Sequence, residues 1–320
     1  MNRLSYGTIA ALFISSLAAA SPFPTRDQNP LLAGYGLPMP MSSRLATVTE
    51  WQWSADLNWA STALVQNEGA ESLLVDAESR ELRLTFGRPL NDRWTVQLQL
   101  PYRHTGAGNL DNLIDSWHDF FDLPEGERPH LPRDQFRIAY ERDGDLLIDR
   151  TASGQGLGDI SADMGYQWIA NDTTSVAAWA SLELPTGDAD ELMGSGALDA
   201  SLVMAAEHRF GDRWSAFGQL AVSFLGDGDL LPAQQRSIAW SGLAGVSVAA
   251  WRGLEFKLQF DGHSVVFDDT HLDYIGDAFI LTVGGAWKFR NCWQVDFGIS
   301  EDIVVEASPD IVFVIGIGRR

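Results

Sequence analysis

From Glu50 to the C-terminus the chain repeats one pattern of alternation. Leu82, Leu84 and Phe86 alternate with Glu81, Arg83 and Thr85. Trp94, Val96, Leu98, Leu100 and Tyr102 alternate with Thr95, Gln97, Gln99 and Arg103, and Leu254, Phe256, Leu258 and Phe260 with Glu255, Lys257, Gln259 and Asp261. A period of two puts the two classes on opposite faces of a strand. A soluble sandwich explains a few such runs. Many runs, with an aromatic-rich apolar face and a charged opposite face, predict a sheet that meets lipid outside and water inside.

The connections are of two kinds. Asn91-Asp92-Arg93, Ala170-Asn171-Asp172, Gly211-Asp212-Arg213, Arg252-Gly253 and Arg290-Asn291 are tight turns, each with a Trp nearby. Residues 67–79, 105–158, 187–194, 226–235, 268–277 and 302–309 are longer and acidic. The two kinds alternate strictly, as short periplasmic turns and long outer loops do in outer-membrane barrels. Ascending strands fall at 50–61, 93–104, 174–186, 213–225, 254–267 and 292–301. Descending strands fall at 80–90, 158–169, 196–210, 237–251, 278–290 and 310–319. The expected fold is an all-β, antiparallel transmembrane β-barrel of about twelve strands, with an amphipathic helix in a long extracellular loop.

Three segments stand outside that alternation. Residues 1–20 read as a signal peptide: Arg3, an apolar stretch from Ile9 to Leu17, and a small-residue cleavage site at Ala18-Ala19-Ala20. Residues 21–46 carry Pro22, Pro24, Pro30, Pro38 and Pro40 among Leu31, Leu32, Tyr35, Leu37, Met39 and Met41, which no strand tolerates. A periplasmic tail and an apolar plug inside the barrel are both open for this stretch. The barrel then occupies 47–320, with a loop insertion at 105–157. Within that loop Leu110, Leu113, Ile114, Trp117, Phe120, Phe121 and Leu123 follow helical spacing between Asn109 and Pro124. Further on, Asp143-Gly144 predicts a hairpin rising above the membrane.

Composition narrows the function classes. A net charge of −21 leaves no basic stripe for nucleic acid. The aromatic content, with 12 Trp and 16 Phe, is too high for a disordered acidic chain. The single cysteine, Cys292, excludes an intramolecular disulfide. No apolar run after residue 20 is long enough for a transmembrane helix.

Pro24-Thr25-Arg26-Asp27-Gln28-Asn29-Pro30-Leu31-Leu32 with Gly36-Leu37-Pro38 resembles the N-terminus of the DUF3187 family. So do Asp111 to Pro124, Gly156-Leu157-Gly158-Asp159-Ile160, and Ser300-Glu301-Asp302 with Ser308-Pro309-Asp310. The resemblance spans essentially the whole mature chain and implies an outer-membrane barrel with no catalytic residues to carry over. Gly158-Asp159-Ile160 and Leu184-Pro185-Thr186-Gly187-Asp188 are also similar to blocks in transporter-like barrels of aromatic-hydrocarbon pathways. The chain ends in Gly318-Arg319-Arg320 rather than in the aromatic residue that barrel-assembly machinery often reads.

Parity assigns a lumen face of both charge signs: Asp56, Arg83, Gln97, Gln99, Arg103, Asp163, Glu183, Asp199, Glu207, Lys257, Asp261 and Asp296. Candidate gating groups are Leu31 and Leu32 in the N-terminal segment and Leu113, Ile114, Trp117, Phe120 and Phe121 in the loop helix. The cluster Asp261-Gly262-His263-Ser264 is the one place a lipid hydrolase could hide. Adjacent strand residues point to opposite faces, so His263 and Ser264 cannot form a nucleophile–base pair within that strand. The six histidines lack zinc spacing. The acidic loops match no EF-hand pattern; carboxylates at that density could hold Ca²⁺, but solvated, self-repelling loops are the favoured reading, so no metal site and no cofactor is assigned. No enzyme is expected either. The reading is passive movement of a small solute, with a hydrophobic one suggested by the apolar gating groups. A closed structural or surface-interaction barrel is the alternative. Expected partners are outer-membrane lipid and lipopolysaccharide, the barrel-assembly machinery and the solute itself.

Overall fold

The structure, a computed structural model, describes residues 21–46, 50–110, 114, 116, 135–289, 293–304 and 306–319. Its strands are β1 (Gln52–Glu68), β2 (Glu71–Pro89), β3 (Trp94–Gly106), β4 (Arg137–Arg142), β5 (Asp145–Arg150), β6 (Gly154–Leu157), β7 (Ile160–Ala170) and β8 (Thr174–Leu184). There follow β9 (Asp199–Phe210), β10 (Trp214–Phe224), β11 (Ile238–Trp251), β12 (Leu254–His263), β13 (Ala278–Phe289), β14 (Trp293–Asp302) and β15 (Ile311–Arg319). Twelve of them, β1–β3 and β7–β15, pair with their neighbours in sequence, all antiparallel. The ring closes where β1 meets β15, from Trp53 opposite Arg319 to Ser61 opposite Ile311. Closure matters because a sheet in hydrocarbon has no water to satisfy an open edge.

The twelve barrel strands coincide with the twelve expected from alternation. The acidic stretch at 67–79, expected as a loop, is instead strand. β1 and β2 run on together as an unbroken ladder to Glu68 opposite Glu71. The cause lies on the inward face of β2. Arg83 and Glu81 are its charged lumen residues, but Ala77, Val75 and Leu73 beyond them are apolar and buried. Those side chains find an apolar core at the long-loop rim, and its burial outweighs the turn preference of the acidic residues. The predicted hairpin is present as β4 and β5, turning at Asp143 (φ 54°) and Gly144 (φ 85°), the paired positive angles of a type I′ turn. It extends the sheet by pairing β4 with the outer part of β2. The loop helix falls almost wholly outside the described residues, as do Leu113, Trp117, Phe120 and Phe121. Ile114 is described: its N–H donates to the Leu110 carbonyl at 2.9 Å, and both side chains are buried against Ile311.

The outward face is the apolar one. Leu82, Leu98, Leu202, Leu220, Val246, Phe256, Val283, Phe297 and Ile315 are all exposed along it. Trp51, Trp94, Trp168, Phe210, Trp214, Trp251 and Trp287 stand exposed near the short-turn rim, and Tyr102, Phe224, Trp240 and Phe279 near the other. Aromatic girdles on either side of an apolar band are how a barrel meets the two bilayer interfaces.

This assignment predicts a depth-dependent cost. Leu220, mid-strand on β10, is 73 % exposed. Leu220→Arg should lower folding stability in bilayers by about 2–4 kcal/mol, and Trp251→Arg, at a short turn, by about 0–1 kcal/mol. Equilibrium unfolding in urea measures both. Equal costs would mean that the exposed band is not a bilayer-spanning one.

Candidate functional site

Residues 21–46 form a strap that rises through the lumen and returns. The ascending arm begins near the short-turn rim, where Lys257 Nζ donates to the Ser21 carbonyl at 3.0 Å. The Phe23 N–H donates to Gln259 Oε1 at 2.8 Å, and Asn58 Nδ2 to the Pro24 carbonyl at 3.1 Å. Asp27 Oδ2 and His263 Nε2 meet at 2.9 Å. At the long-loop rim Asn29 Nδ2 donates to the Tyr274 carbonyl at 2.6 Å. There the strap turns. The descending arm is bonded to the opposite wall. The Gly36 N–H donates to Asp199 at 2.8 Å, the Met41 N–H to Gln219 at 2.7 Å and the Leu45 N–H to Gln167 at 2.7 Å. Trp179 Nε1 donates to the Ser42 carbonyl at 2.9 Å.

Proline explains the conformation. A chain with this spacing cannot ladder with the wall, so its remaining N–H and C=O groups take side-chain partners. Arg26 holds the two arms together. Its guanidinium donates to the Ala33 carbonyl at 2.7 Å, to the Tyr35 carbonyl at 3.1 Å and to the Leu37 carbonyl. Gly36 lies so close to the wall that a Cβ there would sit 2.4 Å from Asp199 Cβ. The ascending arm has a matching groove. In β15 the outward Ile315 and Ile317 alternate with inward Gly316 and Gly318, and Pro24 lies over Gly316. The Phe23 ring packs beside Gly298 and under Lys257 Nζ, 4.1 Å from the ring centroid.

All twelve expected lumen residues face inward, and most are consumed by internal bonds. Arg83 makes two bonds to Glu81 Oε1, at 2.7 and 2.9 Å. Arg103 reaches Glu81 Oε2 at 2.8 Å, the Met193 carbonyl at 2.8 Å and the Ala33 carbonyl of the strap. Asp163 accepts from Ser181 at 2.6 Å, Gln99 at 2.8 Å and Gln97 at 3.1 Å. Asp56 accepts from Ser54 at 2.7 Å, Asp261 from Gln259 at 2.9 Å and Glu207 from Ser175 at 3.5 Å. Asp199 takes the Gly36 and Gly226 N–H groups. Lys257 and Asp296 pair at 2.7 Å with side chains 0 % and 1 % exposed. Glu183 accepts from Ser161 at 3.4 Å, while its Oε1 is buried without a hydrogen-bond partner among the described residues.

Above this polar section the lumen changes character. Leu31, Leu32, Tyr35 and Leu37 of the strap join Leu64, Leu73, Val75, Ile138, Tyr140, Phe267, Tyr274 and Ile275 of the rim in one apolar cluster. Leu31 and Leu32, expected as gating groups, are therefore buried at the outer mouth. Burial and a hydrogen bond to the Glu71 carboxylate push the Tyr140 phenol pKa up. Among the described residues, the strap leaves little room beside it. A space of about 10 Å³, room for about one water, lies toward Arg83, Gln99, Ser161, Glu183 and Asp199. Another, of about 30 Å³, lies toward Gln219, Leu243, Asp261 and His263.

No nucleophile–base pair forms at His263, whose ring meets Asp27; the Ser264 hydroxyl instead accepts from the Trp240 N–H at 2.9 Å. Among the described residues no group of His, Cys, Asp and Glu has metal-binding geometry. The sequence reading gave Arg26, Asp27 and Gly36 no role beyond the family-like N-terminal stretch that holds them. The signal that marks them is the density of large apolar groups and prolines in 21–46, joined to the inward glycines of β15.

The sequence model of a family described as Protein of unknown function (DUF3187) matches residues 6–320. The chain belongs to the DUF3187 family. No curated protein matches it. Among solved structures, this DUF3187 barrel is similar to the COG4313 outer membrane channel from Pseudomonas putida F1. Identity is 14 %, the TM-score is 0.57, and 86 % of this chain and 96 % of that one are covered. Looser likenesses are the Ralstonia pickettii toluene transporter TbuX (12 % identity, TM-score 0.43, 84 % and 89 % covered) and the NanC porin (8 % identity, TM-score 0.46, 85 % and 100 % covered). At 14 % identity the likeness to the COG4313 channel speaks for the fold alone, a barrel of the outer-membrane type.

Two substitutions test the lumen bonding. Lys257→Met strands Asp296 as a buried charge and should cost about 3–5 kcal/mol. Arg26→Ala leaves strap carbonyls unpaired, at about 1–3 kcal/mol for each buried group. The temperature at which the compact, unboiled form disappears in SDS should fall for both. An unchanged temperature would mean that the strap and the Lys257 pair are solvated.

Proposed function

We propose that this protein is a passive outer-membrane channel held closed at rest by its own N-terminal strap. The observation that carries this reading is the bonding of one segment to opposite lumen walls. Ser21 to Asp27 bond to β1, β12 and β14, and Gly36 to Leu45 to β7–β10. A segment held by single side-chain bonds, not by a continuous ladder, can leave without breaking the barrel. Residues 1–20 serve as the export signal, and outer-membrane lipid, lipopolysaccharide and the assembly machinery are the partners in this reading. The solute is small, and a hydrophobic one fits the apolar outer mouth. Passive transport accords with a chain that carries no nucleotide-binding loop.

A closed structural barrel is the second reading, favoured by the rim core that seals the outer mouth. Planar-bilayer conductance separates the two. Deleting residues 21–44 should raise conductance well above that of the full chain. Gly36→Val, which forces the strap off Asp199, should give an intermediate, flickering level. A silent and unstable deletion variant would favour the structural role. Lipid hydrolysis, the remaining enzymatic idea, predicts phospholipase activity that His263→Ala abolishes; two equally inactive proteins would dismiss it.

A further inference from the structure

The tip of the strap occupies what would otherwise be a binding site. Tyr35 is fully buried at the outer mouth. Its ring meets Phe267 edge-on, with centroids 5.4 Å apart and planes at 87°. Its hydroxyl donates to the Leu230 carbonyl at 2.7 Å. Leu31 and Leu32 fill the space beside it, among Leu73, Val75 and Ile275. Every one of these wall groups belongs to the rim or the outer loops, and the strap reaches them from within the lumen. Withdrawing the tip would therefore open a largely apolar recess onto the lumen, with the Leu230 carbonyl as an acceptor at its wall. Water is stable in such a space only where it finds several polar partners, and the side chains around Leu31 and Leu32 are mostly hydrocarbon. An occupant that restores both the burial and the bond has a ring and one hydroxyl donor.

We infer that this recess is a binding site for a neutral phenol-like solute, and that Tyr35 is its built-in occupant at rest. The inference rests on the channel reading and deepens it. A phenol that displaces Tyr35 takes the Phe267 contact and the Leu230 carbonyl, and the freed strap opens the lumen beneath it. A hydrocarbon without the hydroxyl regains the ring contact but leaves the carbonyl unpaired. A neutral polyol regains neither ring contact nor apolar burial. A solute thus opens its own path only if it matches the tip in both respects.

The test uses the full chain in phosphatidylcholine vesicles. Leu32→Cys, in a Cys292→Ser background, places a thiol in the buried tip. Its modification by a membrane-impermeant maleimide should be slow, and p-cresol should accelerate it several-fold. Toluene should need about three- to tenfold higher concentration for the same effect, the worth of one hydrogen bond, and glycerol should have none. A second variant guards against a thiol that disturbs the tip. Tyr35→Ala leaves a ring-sized hole, and p-cresol should raise the unfolding temperature of that variant more than that of the parent. Equal potency of toluene and p-cresol would overturn the hydroxyl assignment. No acceleration together with no rescue would overturn the site. A strap variant that conducts while ignoring p-cresol would overturn the site and leave the channel reading standing. A barrel that binds p-cresol yet never conducts would do the reverse.

Discussion

The inward face of a narrow barrel cannot be left to bulk water, and the rest of this structure follows from that. Closing twelve strands satisfies the backbone and gives the outside to lipid, but it turns a row of charges and amides toward a space only a few side chains wide. Each of those groups loses hydration and must find a partner. Some find one another, as Glu81 does with Arg83 and Arg103, and Lys257 with Asp296. The others take the backbone of the strap. Gln259, Asn58 and Asp199 each bond one of its N–H or C=O groups, and Gln219 and Gln167 each bond one N–H and one C=O. Proline keeps that backbone from joining the sheet, so the strap stays a guest of the lumen.

The same face then changes chemistry with height. Along β2 it runs from Arg83 and Glu81 to Ala77, Val75 and Leu73, and the polar lumen gives way to an apolar rim core. The strap follows that change, with Arg26 and Asp27 at the polar level and Leu31, Leu32 and Tyr35 at the apolar one. Anchoring is thus of two kinds. Directional bonds set the register of the arms, and apolar burial holds the tip. A solute that competes with the second kind can loosen the strap without meeting the charges below.

Much of the barrel was legible because period-two alternation is a direct record of a two-faced sheet. The parity that separated Leu98 and Phe256 from Gln99 and Lys257 holds in the structure along β3 and β12. The extension of β1 and β2 was not legible. Asp76 and Glu78 signal a loop in isolation, and only the rim core, assembled from distant loops, makes Leu73 and Val75 worth extending for. The course of residues 21–46 was half legible. Their composition left tail and plug equally open. The alternation of Ile315 and Ile317 with Gly316 and Gly318 held the deciding information, since a lumen wall without side chains is a groove awaiting an occupant. His263 illustrates the limit of local reading. Its neighbour in sequence is Ser264, but its partner is Asp27, 236 residues away.

Native-state hydrogen exchange of the strap amides tests the central claim most directly. The N–H groups of Phe23, Gly36, Met41 and Leu45 all donate to buried side chains of the barrel wall. The account predicts protection at these four positions, released together by Arg26→Ala while the barrel strands stay protected. Exchange at the rate of an unstructured peptide in the unaltered protein would contradict it.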